Sequence, residues 1–264
     1  MSEEQTTGTA YAVRLARDAT DLRAAQRLRY AVFVEELGAH CADADHQARL
    51  ERDALDPYFD HLLLIDKGAD PASLEHVVGV YRLLPQARAE ALGRFYSDAE
   101  YDLTALRASG RRLVELGRSC VHPAHRRGSA MLHLWNGLAD YVLARGIEIM
   151  FGVASFHGAD PSRHAAALSW LHANHLAPEA LRVTVRPGPQ AARMDRIDPA
   201  TIDRAAALAA IPPLIRAYLR LGGFVGEGAY IDRDFNTTDV CLIMDTSTMS
   251  ERAVDFYTRK SPRT

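Results

Sequence analysis

The chain has 264 residues, enough to bury a full hydrophobic core. Its composition, 48% hydrophobic and 25% charged, is that of a globular domain, and a net charge of −3 excludes a general attraction to nucleic acid. Cys41, Cys120 and Cys241 are odd in number and far apart, which argues against a disulfide framework and for reduced thiols in the cytoplasm. No apolar run approaches the roughly 20 residues of a membrane span, and the first residues, MSEEQTTGTAYAV, lack the apolar segment of a secretory leader.

Residues 1–10 are expected as a disordered tail before a single domain over 11–260. Tyr11–Leu15 reads as a first strand, and Leu22, Ala25, Leu28, Val32 and Phe33 recur at helical spacing within a predicted helix over 21–37. Residues 38–58 are polar and irregular, with Asp56 read as a loop acid. His61–Asp66 and Val77–Leu84 read as antiparallel strands around the Gly68–Pro71 turn, the second carrying Arg82. The following stretch, with Gly93–Asp98 and Tyr101–Leu103, reads as mobile.

The central unit is a strand over 112–117, a loop containing Arg126-Arg-Gly-Ser129, and an amphipathic helix over 130–145. Met131, Leu134, Trp135, Leu138, Tyr141 and Val142 stripe that helix, and Gly146 sits at its expected cap. Ile147–Ala154 is continuously apolar, as a buried strand should be. Residues 155–210 read as a mostly helical insertion without clear strands, suited to lining a long apolar tunnel. A helix over 212–221, strands over 229–232 and 240–246, and the amphipathic segment SERAVDFYTRK complete the chain. The expected fold class is α/β of the α+β kind: a mixed, mostly antiparallel twisted sheet flanked by helices, with one strand–loop–helix–strand crossover.

A strand, a glycine-containing loop and a helix N-terminus form a physical recipe for holding phosphate. Gly128 permits close backbone approach and Ser129 can cap the helix. Six arginines (107, 111, 112, 118, 126, 127) stand against one acid, Glu115, between 107 and 127, a patch suited to an anionic ligand or acidic partner. Glu115 is the candidate base; residues three apart do not share a strand face, which leaves its relation to Arg118 open. A metal site is not indicated: His172 and His175 lack a third ligand at tight spacing. A hydrolase triad is not indicated either, since no GxSxG elbow is present.

The strand with Val121-His-Pro-Ala-His-Arg-Arg-Gly-Ser-Ala130 and its helix resembles the acyl-donor-binding motif of the GNAT acyltransferase fold, with His125 in place of the usual first Gln or Arg. Arg29-x-x-x-Phe33, Asp60, Arg82 and Glu115-x-x-Arg118 resemble in order and approximate spacing the core set of acyl-homoserine-lactone synthases. HLLLID, VVGVYRLL, ELGRSCVHPAHRRG and GVASFHGADP, spread over about residues 11–260 with similar words, resemble bacterial L-ornithine Nα-acyltransferases. That resemblance implies transfer of a 3-hydroxyacyl chain from acyl carrier protein to the α-amine of L-ornithine, giving lyso-ornithine lipid.

It implies Glu115 and Arg118 as catalytic, Arg29, Phe33, Asp60 and Arg82 around the acceptor, and Arg126, Arg127, Gly128 and Ser129 on the donor's phosphopantetheine. It also implies that no cofactor is bound, that acyl carrier protein and L-ornithine are the partners, and that a cytoplasmic protein meets the inner membrane leaflet peripherally. Another amino acid acceptor, homoserine-lactone-type signal synthesis, and a non-catalytic acyl-carrier or membrane-binding module stand as alternatives.

Overall fold

The computed structural model describes residues 10–248. The expected tail (but for Ala10) and the segment SERAVDFYTRK lie outside the described residues. The strands are β1 (Tyr11–Leu15), β2 (Asp60–Asp66), β3 (Val77–Pro85), β4 (Tyr101–Asp102), β5 (Leu113–Val121), β6 (Ile149–His157), β7 (Thr184–Val185), β8 (Ala191–Ala192), β9 (Phe224–Val225), β10 (Ala229–Asp232) and β11 (Thr237–Asp245). The helices are α1 (Ala19–Arg29), α2 (Gln86–Leu92), α3 (Thr104–Ala108), α4 (Ala130–Arg145), α5 (Ala165–His175), α6 (Arg204–Ala210) and α7 (Pro213–Arg220).

The main sheet runs β1-β2-β3-β5-β6-β11-β10-β8, with β9 also pairing to β11. Its strand pairs are antiparallel except β5–β6, which is parallel and joined through α4. This is the expected mixed, mostly antiparallel sheet flanked by helices. Strand alternation, with Val78 as an extra residue where β3 bulges against β2, divides the core. Leu62, Leu64 and Val78 pack with Leu134, Trp135 and Leu138 of α4, while Leu63, Val77 and Val80 pack with Ala24, Ala25 and Leu28 of α1. Each valine or leucine among them taken fully from water contributes about 1.5–3 kcal/mol. Gly146 ends α4 at φ +57°, the left-handed geometry its position predicted, whereas Met131 of the predicted stripe is exposed.

Three expectations change. The helix predicted over 21–37 keeps α-helical pitch only through Arg29, then widens into a π-helical turn over Tyr30–Glu36, with the Leu37 N–H on the Val32 carbonyl at 3.1 Å. The stretch read as mobile is ordered: Phe95, Tyr101, Leu103 and Leu106 are buried with Leu113, Ile149 and Phe151 in a second core. The 155–210 segment is not free of strands. β6 runs to His157, β7 pairs with β4, and β8 joins the main sheet through β10. Strands of two residues beside Pro187-Gly-Pro189 carry no readable periodicity.

Candidate active site

The central strand β5 is bulged. Gly79 and Val80 pair with Val121 and Cys120, but Arg82 pairs with Gly117, so β5 spends one more residue than β3 across that interval. Arg118 lies in the bulge at φ +49°. The extra residue reverses strand parity: Val114 and Leu116 face the α4 core, yet so does Val121, while Cys120 faces α1. Glu115 and Arg118, three apart, therefore both reach one cavity.

The parallel partner opens that cavity. β5 and β6 pair at Leu113–Ile149, Val114–Met150 and Glu115–Phe151 and no further. Beyond Glu115 the strands part, and residues 115–119 and 150–155 line a space of about 260 Å³. Gly152 sits at the divergence, where an added Cβ would lie 2.1 Å from the Leu116 carbonyl oxygen. Leu214 and Tyr218 of α7, with Leu242 and Met244 of β11, supply apolar wall. The tunnel lining expected from 155–210 thus comes from α7 and β11, with only Ser155 from that segment.

One end of the cavity is charged. Arg29 is fully buried: Nη1 and Nη2 donate to Asp56 at 2.7 and 3.1 Å, Nε to Glu51, and Nη2 also to the Glu51 carbonyl at 2.7 Å. Arg82 donates to Asp53 at 2.6 Å and Asp56 at 3.0 Å, under the ring of Phe59. Arg118 donates to Glu51 at 3.2 Å and lies 3.9 Å from Asp53, between the rings of Tyr96 and Phe235. Three arginines and three carboxylates form one network. Burial pushes Glu51, Asp53 and Asp56 up, but the arginines outweigh it and hold all three below the ordinary range.

Arg82, Arg118, Phe33 and Glu115 reach the cavity; Arg29 lies outside its lining and spends four of its five N–H groups on Glu51 and Asp56. Asp60 is a correction: it accepts from Tyr141 of α4 at 2.8 Å and pairs with Arg88 at 2.9 Å, outside the cavity lining. Asp56, read as a loop acid, is instead the centre of the network. Glu51, Asp53 and Asp56 carry no motif spacing; only their return beside Arg29 and Arg82 reveals them.

Glu115 is buried and does not pair with Arg118. Its carboxylate accepts the Tyr96 N–H at 2.6 Å, the Ser97 N–H at 2.7 Å and the Ser97 hydroxyl. Burial raises its affinity for a proton, the Ser97 and Tyr96 hydrogen bonds oppose this, and the balance lies above the usual carboxylate range.

The loop after β5 holds the remaining candidates. Arg126 forms a bidentate pair with Glu36, both contacts 2.6 Å, and Arg127 is exposed. Gly128 is at φ +112°. Ser129 precedes α4 without a side-chain capping bond, contrary to its expected role. His125 contacts the Tyr11 hydroxyl at 2.9 Å, tying the loop to β1. The arginine patch is largely balanced by acids from elsewhere: Arg107 pairs with Asp98, Arg111 with Asp245, Arg118 with Glu51 and Arg126 with Glu36.

A sheet opened at its parallel pair, with an apolar cavity beyond and a glycine loop entering a helix at the strand end, defines an acyltransferase of the GNAT type. An Acetyltransferase (GNAT) domain model matches residues 28–136. The chain is 63% identical over 250 residues, 95% of each chain, to the L-ornithine N(alpha)-acyltransferase of Rhodobacter capsulatus, and 43% identical to that of Rhizobium meliloti over 92% of this chain and 83% of the relative. It belongs to the L-ornithine Nα-acyltransferase family.

Among solved structures, TofI in a ternary complex with an inhibitor and MTA aligns at a TM-score of 0.51 and 16% identity, covering 94% of this chain and 97% of that one. FeeM, an N-acyl amino acid synthase from uncultured soil microbes, aligns at 0.50 and 11%, covering 90% and 93%. The CoA-dependent acyl-homoserine lactone synthase BjaI aligns at 0.50 and 16%, covering 91% and 82%. These likenesses concern the fold. Among the described residues no helix is long and apolar enough to cross a membrane.

Proposed function

We propose that the enzyme moves a 3-hydroxy fatty acyl chain from acyl carrier protein to the α-amine of L-ornithine, giving lyso-ornithine lipid. The observation that carries the reading is the identity of 63% with an L-ornithine N(alpha)-acyltransferase across 95% of the chain. The carrier's phosphopantetheine phosphate meets Gly128, Ser129 and the exposed Arg127 at the start of α4. Its arm enters between β5 and β6, and the acyl chain follows the apolar wall of α7 and β11. Donation from acyl carrier protein, an acidic partner, suits the exposed Arg127, and an acylated product suits peripheral contact with the inner leaflet.

The amine nitrogen attacks the thioester carbonyl; a C–N bond forms, the C–S bond breaks, and the thiolate leaves with a proton. The ammonium must first lose a proton, and Glu115 takes it through water. A carboxylate has about four lone-pair sites, and the 96–97 turn occupies three of Glu115's. Its raised affinity for a proton suits that task near neutral pH. Arg118 retains N–H groups beyond the one used by Glu51 and grips the acceptor's carboxylate beside Arg82.

Purified protein with 3-hydroxyacyl-carrier protein and L-ornithine should yield N-acylornithine by mass spectrometry. No product, or equal use of acetyl-CoA, refutes the reading.

A further inference from the structure

The charged end of the cavity has a second acidic group. Asp239 on β11 pairs across the sheet with Ser155 on β6 and Tyr230 on β10, and Thr237 pairs with Asp232. Paired positions and positions two apart share a face, so Asp232, Thr237, Asp239 and Ser155 face the same side. Ser155, Thr237 and Asp232 line the cavity. Glu100 arrives from above: its turn is anchored at one end by Glu115, and the next residue, Tyr101, donates its hydroxyl to the Asp239 carbonyl at 2.9 Å.

These acids lack what the arginine network has. Glu51, Asp53 and Asp56 balance Arg29, Arg82 and Arg118 one for one, whereas Glu100, Asp232 and Asp239 have no ion pair among the described residues. Glu100 and Asp239 are 4% and 3% exposed; the Glu100 Oε2 atom has no hydrogen-bond partner, and the Ser155 and Thr237 side chains steady the Asp239 carboxylate while its Oδ1 atom lacks a close donor. Asp232 uses one oxygen to accept the N–H groups of Asp234 and Phe235, both at 2.9 Å. Buried carboxylate oxygens without donors are costly unless a ligand completes them.

Resting on the reading of this cavity as an amine-acylation site, we propose that Glu100, Asp232 and Asp239 form a subsite for a second, side-chain ammonium of the acceptor amino acid. An ammonium brings one positive charge and three N–H donors to acids that have no cation: Asp232 lines the cavity, and Glu100 and Asp239 lie behind that lining, close enough for the three to repel one another. Burial, then repulsion from Asp239 and Asp232, pushes Glu100 up to about 9, and burial pushes Asp239 up to about 6. A docked cation lowers both. Arg118, whose charge bears on both acids, faces the acceptor's other end, so that carboxylate and side-chain ammonium are held apart with the α-amine between.

The test compares L-ornithine with L-norvaline, which has the same carbon chain without the terminal amine, in the wild type, Glu100→Gln and Asp239→Asn. With 3-hydroxyacyl-carrier protein as donor, the wild type should favour ornithine about 10⁴-fold in kcat/KM, as expected when a buried polar site loses its partner. Each amide variant should reduce that ratio at least about tenfold, chiefly through the KM for ornithine. Calorimetric binding of ornithine and norvaline without donor supplies a second readout, independent of turnover. Variants that fold and keep the wild-type ratio, or a wild type that binds both amino acids equally, overturn the subsite. Selective binding of ornithine without turnover supports the subsite and refutes only the function proposed above.

Discussion

Asp56→Asn probes the keystone of the arginine network. The Asp56 side chain accepts four hydrogen bonds: two from Arg29, one from Arg82 and one from Gln26 at 2.8 Å. Arg29 and Arg82 are 0% and 1% exposed, so neither guanidinium can turn to water when the charge opposite it is removed. The substitution keeps the volume but leaves three arginines against two acids and sets an amide N–H against guanidinium N–H groups. Breaking a buried ion pair by removing one partner costs about 3–5 kcal/mol, and the central position here argues for about 4. That is roughly a thousandfold in the folding equilibrium.

Urea unfolding followed by far-ultraviolet circular dichroism measures it, as a lowered midpoint with unchanged slope. Asp60→Asn is the paired control. Asp60 contacts Tyr141 and a half-exposed Arg88, so its loss should cost no more than about 1 kcal/mol and leave turnover intact. A cost below about 1 kcal/mol for Asp56→Asn, or a larger cost for Asp60→Asn, refutes the network as described.

Three further expectations concern the cavity and its loop. Gly152→Val places side chain where a Cβ already meets the Leu116 carbonyl oxygen at 2.1 Å; overpacking should cost about 1–3 kcal/mol in thermal melts and raise the KM for the acyl donor, and an unchanged melting temperature counts against the tight divergence. Ser97→Ala removes hydroxyl donation that favours the charged form of Glu115, so the acidic limb of the kcat/KM profile should move to higher pH; a shift to lower pH, or none, removes Glu115 from the base role. Arg127→Ala should raise the KM for acyl carrier protein and weaken its salt dependence without altering the KM for ornithine, and equal effects on both substrates refute an assignment to the donor side.

The core layers were legible because their cause is local. His61–Asp66 and Val77–Leu84 are short apolar runs on either side of the Gly68–Pro71 turn, which reads as an antiparallel pair, and they are neighbours in the main sheet. The unit from β5 to α4 was equally legible, since Gly146 answers a requirement set within a few residues. Asp56 and Asp60 were not separable, because both are acids before a strand. What differs is that the 3-10 turn at Asp56–Tyr58 directs one towards Arg29 while β2 directs the other towards α4.

Hydrophobic period and turn chemistry are properties of neighbouring residues, so the fold class and the β5–loop–α4 unit were readable from the chain, while family resemblance marked Glu115, Arg118, Arg82 and Phe33 as candidates. How those candidates meet is set by folding. A single extra residue in the β5 bulge turns Arg118 onto the face of Glu115, a relation that uninterrupted strand parity forbids. The Ser97 donors, the acids facing Arg29, and the pair Glu100 and Asp239 come from segments far apart in the chain. Charge balance inside a cavity is a property of what folding gathers there, and no stretch of sequence carries it alone.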